Sequence, residues 1–193
     1  MSEPEKRTLK LIHTAARAEF MEKGFQSASL RNIVKTAGVT TGAFYGYYGS
    51  KEELFAALVG EQYNTFLGAF QKAVFSFQGV HDMVLYAYNN LAEFKLLLCC
   101  SEGTRFAGLI DEMVKIEEKA THDFYEAPDT VGQPSQHIDP QLAHILITGM
   151  FSTLFELIIH EIPVERAEIY LSQIWDFYCA GWYKIMGASS PYW

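Results

Sequence analysis

Cysteine is scarce in this chain of 193 residues, with three in all and two of them adjacent at Cys99 and Cys100. No disulfide framework can be built from that set, which fits a reducing, cytoplasmic setting. A secretory leader is not expected either, because Met1 to Arg7 runs into a charged amphipathic pattern and not into an apolar core with a cleavage site. Long uninterrupted apolar runs are absent as well. The most apolar stretch, Leu142 to Ile159, is broken by His144, Thr148, Ser152, Thr153 and Glu156, so it suits a buried helix better than a membrane span. Repeats and low-complexity tracts are lacking. So is recognisable catalytic or metal-binding spacing: His81, His122, His137, His144 and His160 form no pair four apart beside a Glu, and there is no Gly-rich phosphate loop or nucleophile elbow. No metal and no cofactor are expected, and a small helical enzyme stands only as the third of three functional alternatives. Cys99 and Cys100 could sense oxidants, but following Leu96, Leu97 and Leu98 they read as buried core residues. Glu117 and Glu118 read as a solvated helix face.

Positive charge is also in short supply, and what there is lies at one end. The formal net charge is −8. Residues 1–51 nevertheless carry eight Lys or Arg against four acids, while the remaining 142 carry seven against nineteen. A basic head of this kind is the footprint of a polyanionic partner, and an acidic body repelled by the same polyanion helps to aim it. Two regions are therefore expected, residues 1–51 as a DNA-binding domain and 52–193 as a ligand-binding and dimerisation domain.

The segment Ser29 to Lys51, SLRNIVKTAGVTTGAFYGYYGSK, supplies the local pattern. Ser29 is placed to cap a helix whose Leu30, Ile33, Val34 and Ala37 fall on one face. Gly38 can take the left-handed conformation that ends it, Val39 can plug the hinge, and Thr40 can cap the next helix. In that second helix Phe44 and Tyr48 are four apart and pack inward, which turns Thr41, Ala43, Tyr45 and Tyr47 outward. Small residues at Thr40, Thr41, Gly42 and Ala43 let the helix start enter a major groove, and the tyrosine hydroxyls can donate to phosphates. A structural helical hairpin with surface tyrosines fits the same spacing.

These residues resemble the TetR family of transcriptional regulators. The likeness runs over residues 9–55, through Ile12, Ala15, Ala16, Phe20, Gly24-Phe25, Leu30-Arg31, Ile33, Ala37-Gly38-Val39, Gly42, Phe44-Tyr45, Tyr47-Tyr48 and Ser50-Lys51-Glu52-Glu53-Leu54. The resemblance implies an all-α, dimeric, ligand-regulated repressor: an N-terminal three-helix head with a helix-turn-helix, joined by a long helix to a C-terminal helical bundle. It also implies DNA contacts from Arg31, Thr41, Ala43, Tyr45, Tyr47 and Lys51, beside Thr40 and Gly42 at the helix start. Two positions depart from the pattern. Thr41 stands where Lys or Arg is frequent, and Gly46 where a larger polar residue is common. Gly46 weakens a helix by about 1 kcal/mol relative to Ala, so either packing holds that helix or its backbone comes close to DNA.

Downstream, Ser50 to Glu53 forms a capping box that opens a long apolar-periodic helix extending to about Phe77. Further helices are expected from about His81 to Cys100 and from Thr104 to Glu126. An irregular loop over 127–140 follows, then two helices over 139–161 and 163–186. The last two are apolar on more than one face, which calls for a second copy and a twofold four-helix bundle. Its expected interface residues are Leu142, Ile145, Leu146, Gly149, Thr153, Trp175, Tyr178, Gly181 and Trp182. The heavy aromatic load suggests a cavity for a hydrophobic or aromatic effector, flat or cationic, lined by Tyr63, Phe66, Phe70, Tyr86, Asn90, Phe94, Phe106, Phe151, Phe155 and Tyr178. Tyr86, Asn90 and Phe94 are expected on one helical face. Each of these residues taken alone reads more readily as ordinary core than as lining, and a DNA-binding regulator without an effector is the second alternative.

Overall fold

The computed structural model describes residues 2–72, 76–126 and 138–187, and all regular structure among them is helical. The elements are α1 (Glu3–Ser27), α2 (Leu30–Ala37), α3 (Thr41–Tyr45), α4 (Lys51–Phe70), α5 (Phe77–Asn89), α6 (Leu91–Cys99), α7 (Leu109–Glu126), α8 (Pro140–Ile159) and α9 (Val164–Met186). The expected loop at 127–140 lies mostly outside the described residues. So does the middle of the stretch over which the long helix was expected to reach Phe77; α4 is described as ending at Phe70.

Two compact units divide the chain. The first runs to Thr65 and takes in Asn90–Gly108; the second comprises Phe66–Asn89 and everything from Leu109. The unit that contains the head is thus larger than residues 1–51, and the reason is its aromatic centre. Phe20, Phe25 and Phe55 meet with ring centroids 5.1 and 5.4 Å from Phe55, and Phe106, from beyond α6, closes the cluster 6.2 Å from Phe55. Ile12, Ile33, Phe44 and Leu54 are fully buried around them. Gly24 takes φ +69 and bends α1 near its end, after which the Phe25 N–H donates to the Cys100 carbonyl at 2.9 Å.

The expected single helix from His81 to Cys100 is interrupted. Asn90, at φ −126 and ψ 41, leaves the helical region and separates α5 from α6. Tyr86, Asn90 and Phe94 therefore do not share one helical face, and α5 begins at Phe77, ahead of the start expected near His81. Residues 104–108 form turns, so α7 begins at Leu109 and not at Thr104.

In the second unit, Phe66 packs on Phe155 and Phe70 on Phe151, with centroids 6.1 and 5.4 Å apart. Tyr88 donates its hydroxyl to the carbonyls of Leu157 and Ile162, fixing the turn between α8 and α9. Asp139 caps α8 by accepting from the N–H groups of Gln141 and Leu142. By length and composition alone α8 could cross a membrane. Its Ile147, Phe151, Leu154 and Ile158 instead point into the core of this unit.

Candidate nucleic-acid interface

The helix-turn-helix forms as its local signals require. Ser29 Oγ accepts from the Asn32 N–H at 3.4 Å, and Thr40 Oγ1 accepts from the Ala43 N–H at 3.1 Å. Between them Gly38 sits at φ +67 and ψ 27, the left-handed region that a side chain makes costly. Phe44 is fully buried beneath α3, while Thr40, Thr41, Gly42, Ala43 and Tyr45 are exposed, as is Arg31 on α2. Tyr45 is 55 % exposed and lies edge-on to Phe44 at 5.4 Å. The outward face expected from the 3.6-residue period is therefore continuous at the start of α3.

Three details differ from the sequence-based expectation. The helix ends at Tyr45, so Tyr47 and Tyr48 lie in the turn after it. Gly46 is consequently a cap and not an interior residue. Its N–H donates to the carbonyls of Gly42 and Ala43, and a Cβ there would sit 3.3 Å from the Ala43 oxygen. Tyr47 is half-buried, with its hydroxyl 3.5 Å from the Glu5 carbonyl.

Lys51 requires the largest correction. Its ammonium donates to the carbonyls of Phe25 at 2.7 Å, Ala28 at 3.0 Å and Gln26 at 3.3 Å, and stands 4.5 Å from the centre of the Phe25 ring. An ammonium has three N–H groups, and all are engaged by carbonyls at the end of α1. Lys51 thus joins α4 to α1 and offers no free donor to a phosphate.

Behind the exposed face, polar side chains connect the helices. Glu19, buried on α1, accepts from the Lys23 ammonium, the Ser29 N–H and the Asn32 side chain, tying α1 to the start of α2. The hydrogen bond from Lys23, followed by that from Ser29, holds its carboxyl below the ordinary glutamate range. The sequence shows Glu19 only as one acid among four in the head; its partner Ser29 lies ten residues on, at no helical spacing.

The expected effector-binding residues divide between the units. Tyr63, Asn90, Phe94 and Phe106 belong to the first, where Tyr63 and Phe106 meet edge to face at 5.2 Å. Phe66, Phe70, Tyr86, Phe151, Phe155 and Tyr178 belong to the second. There the space enclosed among Phe66, Val84, Met113, Phe151 and Phe155 is only about 10 Å³, at the limit for a single water. In this conformation the rings fill one another's space and form core. Glu117, expected on a wet face, is half-buried, and that burial pushes its carboxyl up to about 7. Glu118 does face water, 2.9 Å from His144. Cys99 is exposed, contrary to expectation; Cys100 is buried, and burial pushes its thiol up.

On α8 and α9, Leu142, Ile145, Ile169 and Phe177 are exposed, the last by 73 %. Leu146, Thr153, Tyr178 and Trp182 are half-buried, and Gly181 faces open space. Gly149 and Thr153 meet Tyr178 within the unit: the Thr153 hydroxyl is 3.3 Å from the Tyr178 hydroxyl, and a Cβ on Gly149 would lie 3.4 Å from it. Trp175 is half-buried and packs edge-on against the exposed Phe77 at 5.9 Å. An open cleft of about 360 Å³ lies among Thr153, Tyr170, Gln173, Ile174, Phe177 and Tyr178.

Residues 12–58 match the model of the bacterial regulatory proteins, tetR family. Over 57 residues, or 30 % of its length, the chain is 47 % identical to YdgC, an uncharacterised HTH-type transcriptional regulator of Bacillus subtilis, covering 27 % of that protein. Over 70 residues it is 34 % identical to the HTH-type transcriptional regulator UidR of Escherichia coli K12, covering 36 % of this chain and 34 % of the relative. The matched stretch thus spans about a third or less of these curated relatives. A crystal structure of a gamma-butyrolactone receptor (ArpA-like protein) aligns over 92 % of this chain and 89 % of its own at a TM-score of 0.60, with 21 % identity, which extends the shared all-α fold beyond the head. Over residues 12–58 the chain is similar to the helix-turn-helix head of the bacterial regulatory proteins, tetR family.

Proposed function

We propose that this chain is a ligand-responsive transcriptional regulator, a repressor that binds a pseudo-palindromic operator as a twofold homodimer and is released by a small hydrophobic or aromatic effector. One observation carries the DNA-binding part: a capped, exposed helix start bearing Thr41, Ala43 and Tyr45 over a buried Phe44. Thr41 and Ala43 are small enough to approach base edges, and Tyr45, with Tyr47 at its flank, reaches for phosphates. Arg31, Arg7 and Lys6 supply the cations. A second copy covers the exposed Leu142, Ile145 and Phe177, and brings two heads to symmetry-related half-sites.

The test is selection of duplexes from a random pool, followed by affinity measurement against salt. With Lys51 engaged elsewhere, about four to six phosphates per dimer are neutralised, giving a slope of log affinity against log salt of roughly −4 to −5. A flat salt response with every duplex contradicts the reading. The effector part is tested separately, by asking whether compounds that raise the melting temperature lower operator affinity. A regulator without an effector is the second reading, favoured by the closed packing of Phe66, Phe151 and Phe155. Unchanged operator affinity with every stabilising compound selects it.

A further inference from the structure

Two polar contacts leave neighbouring turns of α1, one to the turn after α3 and one to α6. His13, in the first half of α1, places Nε2 2.5 Å from the Tyr48 hydroxyl, with ring centroids 5.9 Å apart. One turn further along α1, Arg17 meets Glu93 of α6 at 2.5 Å in a half-buried pair. Tyr48 lies three residues past the end of α3, so this bond fixes the exit of the segment whose entry Thr40 caps. We propose that His13 is a positioning residue for DNA recognition: its neutral imidazole holds Tyr48, and with it the presentation of Tyr45 and Tyr47, and protonation of the ring releases that hold. The proposal rests on the DNA-binding reading above.

A neutral imidazole has one accepting nitrogen, and Nε2 can accept the Tyr48 O–H. Burial raises the Tyr48 hydroxyl above its ordinary value, so that proton stays in place. Protonation takes away that accepting nitrogen and leaves a half-buried cation one turn from Arg17, and the cost of that burial and of the Arg17 charge drives the ring toward water and off Tyr48. The groups that act on the imidazole are Tyr48 from the turn after α3 and Arg17 on α1 itself, and Arg17 is in turn paired with Glu93 on α6. Burial first, and the Arg17 charge second, hold His13 below its ordinary 6.5. A proton that binds the held arrangement less well than the released one must favour the released one as pH falls. The hold is complete above 6.5 and weakens below it, toward the lowered value.

The experiment uses the full chain and a duplex selected by the wild type at pH 8. Affinity is then measured down to about pH 5.5 for wild type, His13→Gln and Tyr48→Phe. Wild type is expected to lose about tenfold in affinity over that range, while His13→Gln, which keeps a hydrogen-bonding group that does not titrate, changes by less than about threefold. Tyr48→Phe keeps the ring and loses the hydroxyl, and should bind about tenfold more weakly at pH 8. Parallel pH profiles in wild type and His13→Gln overturn the proposal. The bond itself is read without DNA from the ring-nitrogen NMR signals of His13, and signals unchanged by Tyr48→Phe overturn the proposal even where DNA binds. If those signals change but no duplex is ever selected, the DNA-binding reading falls and takes the recognition role with it, while the hold between His13 and Tyr48 stands.

Discussion

In the first unit, polar side chains cross from helix to helix: Glu19 to the start of α2, Lys51 back to the end of α1, Arg17 to α6 and His13 to Tyr48. In the second unit the work of holding helices falls mostly to rings, Phe66 on Phe155 and Phe70 on Phe151, while Ile145 and Phe177 are left in water. A short α3 of five residues has too few internal hydrogen bonds to hold itself, so its position must come from side chains that accept only one geometry. Apolar packing tolerates adjustment, and an exposed apolar face invites a further surface. The first unit is thus built to present a fixed face, while the second leaves an apolar face for the second copy proposed above.

Four substitutions would break or sharpen that contrast. The largest effect is expected from Phe55→Ala, which removes the ring at the centre of the first unit and should cost about 3–5 kcal/mol in chemical denaturation. A loss below 1 kcal/mol would show that the aromatic cluster is not what holds that unit. Next, Glu117→Gln should stabilise the protein at pH 8 by about 1–3 kcal/mol. The carboxyl is pushed up to about 7 in the folded state against 4.5 ordinarily, so the native state holds the proton more tightly, and its destabilising contribution grows as pH rises from 4.5 to 7. Equal stability of the two proteins across that window would show Glu117 to be solvated. Glu19 acts with the opposite sign. Its folded value is lowered, so its contribution is present above 4.5 and is lost as pH falls through the folded value.

Lys51→Met, which keeps much of the stem and strips three carbonyls of their donor, should cost about 1–3 kcal/mol and should leave the salt slope of DNA binding unchanged. A slope shallower by about two per dimer would return Lys51 to the phosphates. The smallest effect on stability, within about 0.5 kcal/mol, is expected for Phe177→Ser measured on the monomer at high dilution. The same variant should raise the dimer dissociation constant at least about tenfold in sedimentation or light scattering. An unaltered dimer would place the association surface elsewhere.

The sequence announces what is local. Ser29, Gly38 and Thr40 act on backbone groups within three residues of themselves, and each lies where the spacing predicts. The buried stripe of α2 and the burial of Phe44 follow from the helical period in the same way. Long-range pairings leave no such mark. Lys51 reaches carbonyls more than twenty residues back, and His13 a hydroxyl 35 residues ahead, so a lysine in a DNA-binding motif looks like a phosphate contact and a histidine in α1 looks like nothing. Gly46 reads as a helix interior residue because the helical period continues through Tyr48, although the helix stops at Tyr45 and Gly46 caps it. For Phe66, Phe151 and Phe155 the composition counts the rings but not the space between them, which packing alone decides. The break at Asn90 also escapes the period, since both flanking segments are apolar enough to read as one helix.

The interleaved course of the chain bears on how the protein is made. It passes between the two units after Thr65, after Asn89 and after Gly108. The cluster around Phe55 therefore waits for Phe106, and the Phe25 N–H waits for the Cys100 carbonyl. During synthesis the helix-turn-helix emerges before Cys100 and Phe106, and lacks part of its own support until both have left the ribosome. A nascent chain stalled near residue 72 would expose Phe20, Phe25 and Phe55 without their last partner, so the helix-turn-helix is translated well before it can be finished.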